Sequence, residues 1–266
     1  MDNALKVKVG QRLVAGFPGY EMNREFIDAV REYKIGNVIL FSRNIRDWVQ
    51  LRKLCMQITD LVKRETGEDP FIMIDQEGGG VTRIADAQMN VPGQMALAGT
   101  VDPQMVRRAA EITAQELRSC GINMNLAPVM DINSNPDNPV IGARSYGEDA
   151  ETVARYGVCA IEGYQKEKIA CCLKHFPGHG DTAVDSHLGL PVVNKSLEDL
   201  AGNELIPFQK GMEAGAPAIM TTHILFPQIE SGKVPATMSR AIISGLLRVK
   251  MGYKGMIISD CMEMNA

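Results

Sequence analysis

The 266-residue chain predicts an α/β fold of the (β/α)8, TIM-barrel-like kind. Three observations lead there. Short apolar runs alternate with amphipathic stretches along the chain, and alternation of strand and helix implies a parallel sheet. The runs are continuously apolar, as strands buried on both faces are. Nearly every run then ends in ionisable or polar side chains: Asp75, Gln76 and Glu77; Asp131; Lys174 and His175; Thr222 and His223; Ser259 and Asp260. An open doubly wound sheet gathers its site at one switch point, whereas a barrel draws on all its strand ends.

Strands are expected over 12–16, 37–41, 71–74, 124–127, 170–173, 218–221 and 256–258, with helices over 24–33, 47–65, 103–119, 150–167, 197–213 and 240–250. Asp102 before Pro103 has the pattern of an N-cap followed by proline at the first helical position, where a missing N–H costs nothing. Ser196 and Asp199 have the spacing of a capping box. The pattern lacks the last strand/helix unit of an eight-fold barrel, so a single barrel domain over 1–266, truncated at its C-terminal side, is expected. Either the sequence is a fragment or a second copy of the chain completes the sheet, because an unfinished parallel sheet leaves an open edge.

Composition narrows the classes. Hydrophobic content of 45% and charged content of 23% are those of an ordinary soluble protein. No stretch approaches the length of a membrane span, and residues 1–8 lack the apolar core of a signal peptide, so a cytoplasmic location is expected. The net charge of -4 argues against nucleic acid as a partner. Six cysteines show no Cys-x-x-Cys pair, and adjacent Cys171 and Cys172 should face opposite sides of a strand, so free, mostly buried thiols are expected. The turn Gly16-Phe17-Pro18-Gly19 is not a dinucleotide fingerprint and no P-loop occurs, which leaves NAD and ATP unsupported.

The richest stretch is 174–191, KHFPGHGDTAVDSHLGLP. It holds three of the four histidines, His175, His179 and His187, together with Asp181 and Asp185. A buried Lys174 must meet a carboxylate or a ligand oxygen, and His175 beside it is either a ligand contact or a satisfied core histidine. Asp185, two residues before His187, suits an aspartate that holds an imidazole's tautomer and raises its pKa for proton donation. The same triplet also suits an Asx-turn in a solvated loop. Asp260, closing an apolar strand, is either a helix N-cap or a nucleophile able to attack a sugar's anomeric carbon. Asp75, Arg83 and Arg144 are ligand contacts or ion pairs. His175, His179, Asp181, Asp185 and His187 could also ligate a metal, but tight His-x-His pairs are lacking and no metal is expected.

Taken together, these residues resemble glycoside hydrolase family 3, in its β-N-acetylglucosaminidase (NagZ-like) branch. The resemblance rests on 74–79 with Arg83, 125–131, 143–147, 174–180, Asp185-Ser186-His187 and 258–260, in family order over nearly the whole chain. It implies a retaining, two-step glycoside hydrolase built on a (β/α)8 barrel, with Asp260 as nucleophile and His187, paired with Asp185, as acid/base on a loop whose glycines ease its closure. By the same likeness Asp75, Arg83, Arg144, Lys174 and His175 bind the terminal N-acetylglucosamine. No metal or organic cofactor is implied. The implied substrates are small carbohydrates, peptidoglycan-derived muropeptides of cell-wall recycling above all. A phosphorylase, in which phosphate replaces water, an inactive sugar-binding fragment and a metal-dependent hydrolase are the competing readings.

Overall fold

The structure, a computed structural model, describes residues 2–84, 90–183 and 190–264. All seven expected strands form: β1 Val14–Ala15, β2 Asn37–Leu40, β3 Ile72–Ile74, β4 Met124–Asn125, β5 Ala170–Phe176, β6 Ala218–Thr221 and β7 Met256–Ser259. They make one curled parallel sheet in the order β1-β2-β3-β4-β5-β6-β7. A sequential order is that of a barrel wall, since a doubly wound sheet reverses direction part-way. Among the described residues β1 pairs with β2 alone and β7 with β6 alone.

The helices cover the outside. They are α1 Asn3–Gly10, α2 Arg24–Tyr33, α3 Trp48–Thr66, α4 Gln94–Ala98, α5 Pro103–Cys120, α6 Ala150–Lys166, α7 Leu197–Gly202 and α8 Leu205–Glu213, followed by a π-helix, Ala241–Lys250. Side chains close their N-termini as the sequence suggests: Asp102 accepts from the Gln104 N–H at 2.9 Å ahead of Pro103, and Ser196 and Asp199 bond reciprocally. The single helix expected over 197–213 is two helices. Pro207 lacks the N–H that would bond to the Asn203 carbonyl and its ring crowds that carbonyl, so the chain breaks at Asn203 and restarts. Helices α1 and α4 were not expected. In α1, Leu5, Val7 and Val9 alternate with lysines at the period of a strand, and α4 is too short to show a period.

Strand parity separates two layers. Val38, Leu40, Ile72, Ile74, Cys171, Leu173 and Ile219 pack outward under the helices. Met73, Met124, Cys172, Ala218 and Met220, joined by Ile39, Met256 and Ile258, fill the concave side. Successive side chains on a strand face opposite sides, so Cys171 and Cys172 part as expected. Carrying the concave parity two residues past Met73, Cys172 and Ile258 reaches Asp75, Lys174 and Asp260. No helix is long and apolar enough to cross a membrane among the described residues.

Candidate active site

The carboxyl ends of the strands bring the charged residues together. Lys174 is buried at 2% exposure. Its Nζ lies 2.7 Å from Asp75 Oδ1 and 2.6 Å from Glu77 Oε1. Arg144 forks onto the same Glu77 carboxylate, Nε to Oε2 at 2.9 Å and Nη2 to Oε1 at 2.8 Å. Arg83 stands 3.7 Å from Asp75 Oδ2 and stays partly exposed, as Asp75 does. The lysine is therefore satisfied by two carboxylates. Burial works against its charge, but Asp75 and Glu77 more than reverse that and its pKa rises. Burial also opposes ionisation of Glu77, yet Lys174 and Arg144 hold its carboxyl down at about 2. Desolvation works against the Arg144 cation too, and Glu77 outweighs it.

Asp131 organises a second cluster. It is buried, and its Oδ2 accepts from the His175 backbone N–H at 3.0 Å and meets His175 Nδ1 at 2.7 Å. Its Oδ1 accepts from the His179 N–H at 2.7 Å. Burial would raise its pKa, but His175 and the N–H of His179 keep it lowered. A carboxylate accepts only, so His175 carries its hydrogen on Nδ1 and its ring orientation is set. Burial beside His175 depresses the pKa of His179. The register of β5 against β6 shifts between Leu173 and Phe176, and such an irregularity re-aims side chains at a strand end.

Uncharged side chains hold these groups in place. Asn125 bonds both the N–H and the C=O of Gln76, at 3.0 and 2.9 Å, while Gln76 Oε1 accepts from the Arg83 N–H at 2.9 Å. Gln94 on α4 pins Val129 through both its N–H and its C=O at 2.9 Å. Ser145, next to Arg144, donates to the Asp131 carbonyl at 2.7 Å. Gly180 packs closely: a Cβ would land on the Ile132 carbonyl, and Gly180 O accepts from the Asn135 N–H at 3.2 Å.

Asp260 follows β7. Its N–H donates to Thr221 O at 3.0 Å, and its Oδ1 accepts from the Cys261 N–H at 2.7 Å. Burial raises the pKa of the Cys172 thiol on the concave side, where Lys174 acts against that rise and Asp75 and Asp260 add to it. Asp185 and His187 lie outside the described residues. Asp181, before them in the chain, meets Lys195, after them, at 3.2 Å, and Lys195 also bonds Glu204 at 2.5 Å. Asp181 is therefore engaged in an ion pair. Among the described residues no group of three His, Cys, Asp or Glu side chains could hold a metal ion.

The structure thus brings Asp75, Arg83, Arg144 and Lys174 into one network, with His175 held by Asp131. Glu77 and Asp131 were seen in the sequence only as strand-end carboxylates, not as members of the site. A signal for Glu77 existed: Arg83, Arg144 and Lys174 need more negative charge than Asp75 supplies, and Glu77 shares its strand parity.

Against this geometry, the profile described as "Glycosyl hydrolase family 3 N terminal domain" matches residues 4–266. The chain belongs to that family. A β-N-acetylglucosaminidase of family 3 from Paenibacillus sp. str. FPU-7 superposes with a TM-score of 0.96 at 47% identity, covering 98% of this chain and 50% of that one. NagZ from Neisseria gonorrhoeae, solved with N-trifluoroacetyl-D-glucosamine, gives a TM-score of 0.86 at 32% identity, covering 94% and 74%. "Beta-hexosaminidase A" of Pseudoalteromonas piscicida is 38% identical over 256 residues, 90% of this chain and 43% of that protein. The chain spans about half the length of the Paenibacillus and Pseudoalteromonas proteins.

Proposed function

We propose that the protein is a retaining exo-β-N-acetylglucosaminidase, with residues 1–266 forming its catalytic barrel domain. The observation that carries the reading is that Asp75, Lys174 and Asp260 continue the concave parity of Met73, Cys172 and Ile258, within a family whose relatives include β-hexosaminidases. Asp75 and Arg83 keep partly exposed edges for sugar hydroxyls, while Glu77 and Asp131 lie behind them as buried counter-charges.

In the proposed reaction His187, oriented by Asp185, protonates the glycosidic oxygen. The Asp260 carboxylate attacks the anomeric carbon from the opposite face, and the C–O bond to the leaving group breaks. The products of this step are the free aglycone and a glycosyl-aspartate. Neutral His187 then takes a proton from water, whose oxygen attacks the same carbon and releases Asp260 as carboxylate. Two inversions leave the sugar's configuration retained. The Asp131–His175 contact and the Lys174 ion pairs hold the sugar-binding groups in place before substrate arrives, which is how positioning lowers a barrier. Peptidoglycan-derived muropeptides in a cytoplasmic recycling route are the proposed substrates, on the strength of likeness to NagZ.

The test is to treat the protein with a slow fluorinated N-acetylglucosaminyl inhibitor, digest it and locate the label. A glycosylated Asp260 peptide is expected, and a label elsewhere overturns the reading. Parallel assays on an aryl N-acetylglucosaminide separate the alternatives. Sugar 1-phosphate as main product in phosphate buffer identifies a phosphorylase, binding without turnover a sugar-binding fragment, and loss on chelation with recovery on zinc a metal-dependent hydrolase.

A further inference from the structure

His223 is the one histidine outside the 174–191 stretch, and the proposed reaction gives it no role. It follows β6 by two residues and is 5% exposed. Its Nε2 lies 3.0 Å from the backbone carbonyl oxygen of Cys261, the residue after Asp260. A carbonyl oxygen only accepts, so Nε2 carries the hydrogen and the neutral ring has a bare Nδ1. Protonation of the ring would leave this bond in place.

The bond completes a frame around Asp260. Upstream, the Asp260 N–H is tied to Thr221 O at 3.0 Å. Downstream, the Cys261 carbonyl is tied to His223. Between them the Cys261 N–H occupies Asp260 Oδ1 at 2.7 Å. Thr221 is itself braced, its hydroxyl donating to Thr237 Oγ1 at 2.8 Å. Both fastenings of the Asp260–Cys261 unit therefore come from the end of β6. The frame matters because Ser259 is exposed and β7 pairs only with β6 among the described residues, so the neighbouring strand is what fixes this end.

We propose that His223 is the positioning residue of the Asp260 carboxylate: its Nε2–H holds the Cys261 carbonyl, and through it the angle at which Asp260 Oδ2 faces the anomeric carbon. The assignment rests on Asp260 being the nucleophile. Misplacing a reacting group by about 1 Å costs on the order of 100-fold in rate.

The experiment uses the full chain and three variants. His223→Ala removes the donor. His223→Gln places an amide N–H where Nε2 was, and His223→Asn places it where Nδ1 was. Readouts are kcat and KM on an aryl N-acetylglucosaminide, the rate at which a fluorinated inhibitor labels Asp260, and the thermal midpoint. His223→Ala and His223→Asn are expected to lose roughly 100-fold in kcat and in labelling rate with KM nearly unchanged, and His223→Gln to recover most of both. Labelling of Asp260 at the parent rate in His223→Ala overturns the proposal and leaves the nucleophile standing. So does a His223→Gln variant with the parent thermal midpoint that is as slow as His223→Ala. Label on a different carboxylate in the parent protein overturns the nucleophile and this role together.

Discussion

Glu77 can be neutralised without changing its shape, and the consequence can be worked out. Glu77→Gln keeps the side chain's volume but removes the negative charge between Lys174 and Arg144. A carboxyl held at about 2 against an ordinary 4.5 contributes about 3 kcal/mol to stability at neutral pH. Breaking a buried ion pair by removing one partner costs a similar ~3–5 kcal/mol. The folded-state pKa is the lower one, so the contribution is complete above pH 4.5 and fades as pH falls toward 2. Denaturant unfolding followed by the fluorescence of the single tryptophan, Trp48, measures it. The variant should be less stable by about 3 kcal/mol at pH 7, and the gap should shrink to roughly 1.5 kcal/mol by pH 3. A gap under about 1 kcal/mol at pH 7, or one that stays constant as acid is added, would refute the ion-pair account.

Three further outcomes are expected. Asp260→Asn should nearly abolish turnover of an aryl N-acetylglucosaminide while leaving the thermal midpoint unchanged, and near-parent kcat would remove Asp260 from the mechanism. His187→Ala should slow substrates with poor leaving groups far more than activated aryl glycosides, which need little protonation; equal losses on both would count against His187 as the acid. Gly180→Ala should lower the thermal midpoint and the soluble yield, because its Cβ meets the Ile132 backbone, which cannot move aside as a side chain can; a melting curve matching the parent's would contradict this.

Much of the fold was legible because strand burial leaves a plain trace. The apolar runs at 37–41, 71–74 and 218–221 fall on β2, β3 and β6 almost residue for residue. Charged groups at the run ends pointed to the barrel. What escaped has physical causes. The lysine–aliphatic alternation in α1 has a strand's period, and Pro207 divides what amphipathicity alone joins. In the site, residue type named the cations and the outermost carboxylate but not the arrangement. Whether Lys174 contacts a ligand or an ion-pair partner depends on Glu77, and whether His175 is free or braced depends on Asp131, more than forty residues away in sequence. Such pairings are set by strand register, which a linear pattern does not display. Asp185 and His187 were expected from the motif and stand among the proposals.

Three permanent cations, Arg83, Arg144 and Lys174, stand among four carboxylates, Asp75, Asp260 and the buried Glu77 and Asp131. Opposed in this way, all but one negative charge is matched by a nearby cation, and little field reaches beyond a Debye length into the surrounding solvent. An uncharged aryl N-acetylglucosaminide is then neither drawn in nor repelled from afar. Discrimination is left to short-range donor and acceptor matching once the sugar has arrived, and capture should vary little with ionic strength.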